Sequence, residues 1–169
     1  IDVVISSMEQ PLGYNIGNSL EVIESIEFLK GNCAPDLYEI TQELASKTLI
    51  NCNIAPDKKS AYEMVENVIK NGSALEKFAQ IIEFQGGNSK VIDDYSLFDI
   101  GKNKVEIKVK KSGYISKLEA IDIAHCAKLL GAGRDKKTDK IDFGAGVVLK
   151  KKVSDYVKQG DTVLELYYN

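Results

Sequence analysis

Apolar residues recur with the period of a helix through most of the first half of the chain. Within Ser19–Lys30 they fall at positions 20, 23, 26 and 29, which is the stripe of a helix packed on one face. The same period predicts three further helices, at about 35–50, 57–71 and 73–85. The last of these is predicted to begin with a capping box formed by Ser73 and Glu76.

Alternating and β-branched segments predict strands at the start of the chain and in its second half. The run Ile1–Ser7 is rich in β-branched residues and predicts a buried strand. Val105–Val109 alternates apolar with charged residues, as a half-exposed strand does. Further strands are predicted at 114–118, 144–150, 152–156 and 162–168, with one short helix at about 121–130.

The change of character near residues 86–90 divides the chain into two parts. We predict the end of a large α/β domain, one strand and four helices, at residues 1–88, and an α+β domain at residues 89–169. The chain begins with Ile1 instead of methionine, and a buried strand there needs neighbours on both sides. We therefore expect it to be a piece of a longer protein.

Charge and composition exclude several classes of protein. The 169 residues include 25 acidic and 22 basic side chains, for a net charge of −3, and the interspersed signs disfavour a nucleic-acid partner. His125 is the one histidine, so a poly-histidine metal site is excluded. The three cysteines form no Cys-x-x-Cys pair, and no apolar run is long enough for a membrane helix. We expect a cytoplasmic protein with no membrane partner.

A glycine-flanked turn between the first strand and the first helix is the main candidate for binding. Gly13 and Gly17 enclose three residues at the carboxyl end of the predicted strand, where α/β sheets place their ligands. The turn has either a ligand or ion role or a purely structural one. Glu21 is accounted for as a capping partner of Asn18. Glu24 has no evident structural role and is the better metal carboxylate.

Three other motifs favour structural interpretations. Gly131–Arg134 resembles a phosphate cradle, but it follows a predicted helix end, where carbonyls instead of amides are presented. His125 and Cys126 are adjacent on a helix and point about 100° apart, so they form no catalytic pair. Lys150–Lys152 can contact an anion but lies in a strand pattern, which favours a solvated face. No nucleophile, base and acid set is present in the sequence.

Four separate blocks resemble the bacterial pyrimidine-nucleoside phosphorylases of the thymidine phosphorylase family. The first is Met8–Val22, which reads MEQPLGYNIGNSLEV and is similar to the family pattern S/T-x-M-x-Q-P-L-G-x-x-x-G-N-x-L-E-V. Three more agree in order and spacing: Leu29–Gly31, Phe84–Gly87 with Val91–Asp93, and a C-terminal run that includes Ser112–Tyr114, Leu130–Arg134 and Gly146–Leu149. The resemblance covers essentially the whole chain.

This resemblance implies phosphorolysis of a pyrimidine nucleoside, with phosphate as co-substrate, to a free base and a pentose 1-phosphate. Uridine, thymidine and deoxyuridine are the implied substrates. Family members are homodimers with a small helical domain, and their phosphate-binding and base-binding residues precede the block that begins here. We therefore assign no catalytic and no substrate-binding residue to this chain and expect it to be inactive alone.

The resemblance also implies a potassium-like monovalent cation. Three of its ligands map onto this chain: the backbone carbonyls of Leu12 and Asn15 and the carboxylate of Glu24. Carbonyl dipoles can replace the hydration shell of such an ion. The family places the ion near the phosphate loop, which it orders.

A rival interpretation comes from the end of the chain. Gly146–Asp161 resembles half of a biotinyl/lipoyl-type barrel-sandwich hybrid, which makes a carrier or binding module the alternative function. Such carriers display a modified lysine at a hairpin tip, and the sequence shows no such tip. The phosphorylase family has this architecture in its C-terminal domain without a prosthetic group.

Overall fold

The structure is a computed structural model that describes residues 2–169. Its α-helices are α1 (Asn18–Leu29), α2 (Pro35–Asn51), α3 (Lys58–Lys70), α4 (Ser73–Phe84) and α5 (Ala120–Ala127). Its strands are β1 (Asn15–Ile16), β2 (Asn103–Lys108), β3 (Gly113–Tyr114), β4 (Gly146–Leu149), β5 (Tyr156–Val157) and β6 (Thr162–Tyr168). None of the helices formed by residues 2–169 is long and apolar enough to cross a membrane.

Two compact units divide the described residues. The helical unit comprises residues 2–6 and 25–94, and the sheet unit comprises residues 7–24 and 95–169. The predicted domain bounds at 1–88 and 89–169 differ from these packing units, because the turn and the first part of α1 belong to the sheet unit. The mixture of helix and sheet agrees with the predicted α+β character of the second part.

Helix α3 begins at a side-chain cap, whereas the cap predicted for α4 is absent. Asp57 caps α3, because its carboxylate accepts from the amide of Ser60 at 2.8 Å. The predicted capping box of Ser73 and Glu76 is wrong. Ser73 is already helical, the preceding Gly72 is left-handed with φ of +82°, and no side chain caps α4 at that residue. The amide of Ser73 is satisfied by the Asn71 side chain at 2.9 Å.

The core of the helical unit lies where apolar faces of its helices meet. Ile26 and Ala61 are fully buried, and Phe28 and Val65 are nearly so. The rings of Phe28 and Tyr38 are tilted to each other with centroids 6.0 Å apart, a favourable aromatic arrangement. The helical period of the sequence therefore predicted Ile26 as a core position, but it did not predict the burial of Phe28.

The sheet unit is built on a four-stranded antiparallel sheet in the order β1-β4-β6-β2. A separate antiparallel ribbon pairs β3 with β5. Helix α5 packs Ile123 and Ala127 against Val147 and Leu149 of β4, and Ile16 of β1 joins this core. Strand β1 is therefore an edge strand, and the side chain of Ile16 anchors it in the core.

Three predicted strands differ from the structure. Asp2–Ser7 forms no strand: Val3 is 72% exposed and Ile5 94% exposed, and Ile1 lies outside the described residues. A strand requires a hydrogen-bonded neighbour, and none of the described strands pairs with this segment. The segments predicted at 114–118 and 152–156 contribute only the short ribbon β3 and β5.

The polar face of the sheet carries a cluster of charges around Glu165. This carboxylate is buried and lies 2.7 Å from the ammonium of Lys104 and 3.1 Å from that of Lys150, and the hydroxyl of Tyr167 donates to it at 3.0 Å. Burial by itself would raise the pKa of Glu165, but these three hydrogen bonds outweigh it and hold the pKa below its ordinary value.

Glu165→Gln is expected to destabilise the protein at pH 7 by about 1.5 kcal/mol, because charge-assisted hydrogen bonds are replaced by weaker ones. A carboxylate whose pKa is lowered by folding stabilises the folded state above its unfolded pKa, and this stabilisation is lost as the pH falls through the folded pKa. Urea unfolding at pH 7 and pH 3 measures the difference, which is expected to shrink at pH 3. An equal difference at both pH values would contradict the assignment, and Glu39→Gln at an exposed position is the control.

Candidate functional site

The glycine-flanked turn runs into the edge of the sheet. Asn15 lies opposite Val148 of β4, and the amide of Leu149 donates to the carbonyl of Tyr14 at 2.7 Å. Hydrogen-bonded and non-hydrogen-bonded pairs alternate along antiparallel strands, so Asn15 and Val148 form a non-hydrogen-bonded pair. The backbone N–H and C=O of Asn15 therefore both point away from β4, off the edge of the sheet.

Glu24 covers this edge from the second turn of α1. One carboxylate oxygen, Oε1, accepts from the amide of Tyr14 at 2.7 Å, and Oε2 accepts from the amide of Asn15 at 3.2 Å. Two consecutive backbone amides thus fix the orientation of the carboxylate. Glu24 has the structural role that the sequence did not reveal, and it lies on the side of β1 to which the Asn15 carbonyl is directed.

Gly13 provides the space into which this carboxylate fits. Its φ of +68° lies in the left-handed region that favours glycine. A Cβ at this position would lie 2.5 Å from Oε2 of Glu24 and 2.9 Å from Oε1, too close for any side chain. Because glycine has no side chain, the backbone next to Leu12 can lie directly against the carboxylate.

Two side-chain hydrogen bonds fix the start of α1, the helix that carries Glu24. The carboxylate of Glu21 accepts from the amide of Gly17 at 3.0 Å, which confirms a capping role for Glu21. The partner is Gly17, however, and not Asn18 as predicted. The Asn18 side chain instead donates to the carbonyl of Ala132 at 3.1 Å, so it ties the helix start to the turn after α5.

Lys152 is the residue near the turn whose role the sequence did not indicate. Its side chain is buried, with 8% of its surface exposed, and its ammonium donates to the carbonyl of Pro11 at 2.7 Å. The prediction of a solvated lysine face is wrong for this residue. Its contact lies 141 positions away along the chain, and no local pattern reports a contact at that separation.

The oxygen atoms near this turn suit a weakly held cation. Backbone carbonyls and a carboxylate are hard ligands of the kind used for ions that exchange their hydration shell. The two oxygens of Glu24 accept backbone hydrogen bonds from Tyr14 and Asn15, which hold the carboxylate at the turn. The predicted ligand set of Leu12, Asn15 and Glu24 stays a prediction.

The other candidate motifs have structural surroundings. Gly131 ends the turn after α5 with φ of +113°, and its carbonyl accepts from the amide of Asp142 at 2.9 Å, which favours the helix-end interpretation. His125 is exposed, and Cys126 packs against the sheet core. Within residues 2–169 no group of three or more His, Cys, Asp or Glu side chains is arranged to hold a metal.

The lysines that a carrier would modify are also in structural positions. Strands β4 and β5 pair with different partners, so residues 150–155 between them form no hairpin. Lys150 forms an ion pair with Glu165 at 3.1 Å, and Lys152 is buried. A modified lysine must be displayed to a partner enzyme, so these surroundings do not favour the carrier alternative.

Comparison with known proteins gives a consistent set of relatives. Residues 114–169 match the family model for the pyrimidine nucleoside phosphorylase C-terminal domain. Over 166 residues the chain is 42% identical to the pyrimidine-nucleoside phosphorylases of Bacillus subtilis and Staphylococcus haemolyticus and 41% identical to that of Geobacillus stearothermophilus. Each alignment covers 98% of this chain and 38% of the relative. The chain therefore spans well under half the length of the curated relatives it matches.

Proposed function

Because this chain belongs to the pyrimidine-nucleoside phosphorylase family and aligns with its C-terminal portion, we propose that the protein containing it cleaves pyrimidine nucleosides with phosphate. The products are the free base and ribose or deoxyribose 1-phosphate, and the substrates are uridine, thymidine or deoxyuridine. The observation that carries the proposal is 42% identity sustained over 98% of the chain. The protein is a cytoplasmic homodimer, and residues 89–169 form the family's barrel-sandwich domain after the end of its α/β domain at residues 1–88.

In the proposed enzyme, this chain and a preceding part of the protein have different roles. Phosphorolysis requires phosphate held beneath the sugar carbon and a hydrogen-bond donor on the leaving base, both fixed in position before the bond breaks. The resemblance assigns those residues to the region before the matched blocks. Residues 1–169 alone are therefore inactive, and their contribution is to support and order the site.

The cation site is the part of this contribution that the turn can supply. The carbonyl oxygens of Leu12 and Asn15 and the carboxylate of Glu24 hold a potassium-like cation, which orders the phosphate loop when bound. Two features support this. The carboxylate is held against Gly13 with no intervening side chain, and the Asn15 carbonyl points off the sheet edge on the side where Glu24 contacts the Asn15 amide.

The activity is tested by measuring uracil release from uridine and phosphate. The full-length protein is expected to release uracil only when phosphate is present, and the 169-residue chain alone is expected to release none under the same conditions. Uracil release that does not depend on phosphate would contradict phosphorolysis. Turnover by the isolated chain would contradict the division of work while leaving the reaction itself intact.

A further inference from the structure

A buried ammonium group clamps the turn that contains Leu12 and Asn15. The Nζ of Lys152 donates to the carbonyl of Pro11 at 2.7 Å and lies 5.1 Å from the ring centroid of Tyr14. A buried charge is costly unless it is compensated, and here a carbonyl dipole and an aromatic face both favour the cation. These two contacts fall on the residues immediately before Leu12 and Asn15.

The segment around Lys152 holds the same turn at further points. The amide of Val153 donates to Oε1 of Gln10 at 3.0 Å, and the amide of Leu149 donates to the carbonyl of Tyr14 at 2.7 Å. The amide of Lys152 itself donates to Asp155 at 2.8 Å, which fixes the backbone from which the lysine projects. Leu149, Lys152 and Val153 therefore each contact the segment 10–14.

The hydrogen bond from Lys152 is important for the turn because Gly13 gives the backbone there more conformational freedom. The carbonyl of Leu12 belongs to the peptide unit that joins Leu12 to Gly13. This unit can rotate when the backbone dihedral angles of Gly13 change, and glycine has a wider range of allowed dihedral angles than any other residue. Fixing the preceding carbonyl, that of Pro11, limits the directions that the Leu12 carbonyl can take. Ligands that are held in place before an ion arrives bind it more tightly, since less ordering is required on binding.

We propose that Lys152 is a positioning residue for the cation site. Its ammonium holds the Pro11 carbonyl and the Tyr14 ring, so that the carbonyls of Leu12 and Asn15 are directed to the same side as Glu24. This inference rests on the proposed function, because the clamp affects activity only if the turn binds the cation. Lys152 itself contacts neither the nucleoside nor phosphate in this role.

The test measures the dissociation constant of thallium(I), a substitute for potassium, for the full-length protein without substrate by isothermal titration calorimetry, and the potassium concentration that gives half-maximal activity, both at constant ionic strength maintained with a choline salt. Lys152→Met is expected to raise both values about tenfold, as loss of a residue that orients metal ligands does. The KM for uridine at saturating potassium is expected to stay within about twofold of the unmodified protein. Lys152→Arg keeps the charge and is expected to restore most of the potassium affinity. Lys151→Met, one residue away, is the matched control and is expected to have no effect.

Each outcome bears on a different claim. If the unmodified protein needs potassium and Lys152→Met needs no more of it, the positioning role is wrong while the cation site stands. If Lys152→Met raises both the potassium requirement and the KM for uridine, the substitution disturbs the protein generally. Lys152 then has no specific role at the cation site, and the proposal is also wrong. Activity of the unmodified protein that is independent of potassium contradicts the cation site itself. Should Lys152→Met not fold, Lys152→Gln carries the same expectation, because its shorter uncharged side chain also loses the Pro11 contact.

Discussion

Glu24→Gln is expected to raise the potassium concentration at half-maximal activity of the full-length protein by about 100-fold, which corresponds to about 2.7 kcal/mol. The substitution removes the negative charge of the proposed cation site. It also leaves one acceptor oxygen where two are used, so the new amide group meets a backbone amide of Tyr14 or Asn15 as donor against donor. The titration of uridine phosphorolysis with potassium measures both effects together.

Glu21→Gln is the matched control for this experiment. Glu21 lies on the same helix one turn earlier and accepts from the amide of Gly17, where the turn ends and α1 begins, whereas Glu24 accepts from the amides of Tyr14 and Asn15. Its substitution is expected to weaken the helix start by about 1 kcal/mol and to leave the potassium requirement unchanged. Equal changes of the potassium requirement in Glu24→Gln and Glu21→Gln would contradict the assignment of Glu24 as a cation ligand.

Gly17→Ala is expected to lower the free energy of unfolding of the 169-residue chain by about 3 kcal/mol or more, and the midpoint of thermal unfolding by about 10 °C. Gly17 has φ of +134°, and an added Cβ would lie 2.5 Å from the carbonyl oxygen of Ala145 and 2.9 Å from the Cα of Gly146. Backbone atoms of a central strand cannot move away as a flexible side chain can. The substitution therefore displaces β1 and α1 from β4, and with them the position of Glu24.

Gly160→Ala separates backbone strain from crowding. Gly160 also has a positive φ, of +92°, but a Cβ there meets nothing within 4 Å. Its substitution is expected to cost about 1 kcal/mol, from the left-handed backbone alone. Thermal unfolding midpoints of the two variants, compared with the unmodified chain, measure the difference. Equal losses in the two variants would show that the close approach of Gly17 to β4 contributes nothing.

Much of the fold is predictable because the signals are local. Helices α1 to α4 lie within a few residues of their predicted bounds, since a stripe of apolar residues and a cap such as Asp57 are both read within one or two turns. The strand Thr162–Tyr168 was predicted with its observed bounds for the same reason. The resemblance to a known family was likewise carried by short blocks and is confirmed by the comparisons.

The parts that were missed depend on residues far apart in the sequence. Strand β1 exists because Asn15 and Ile16 pair with β4, about 130 residues later, and nothing near them marks a strand. Asp2–Ser7 has the composition of a strand but no strand beside it. The hydrogen bonds of Glu24 and the burial of Lys152 also depend on packing between distant parts of the sequence. The sequence therefore predicts the turn but not the side chains that hold it in place.

Anomalous diffraction from crystals of the full-length protein soaked in a thallium salt determines whether a monovalent cation binds at Leu12, Asn15 and Glu24, as we propose. Thallium replaces potassium and scatters anomalously, so its position is observed without reference to activity. We expect an anomalous peak in contact with the carbonyl oxygens of Leu12 and Asn15 and with the carboxylate of Glu24. A peak elsewhere, or no peak at this turn in a protein whose activity requires potassium, would contradict it.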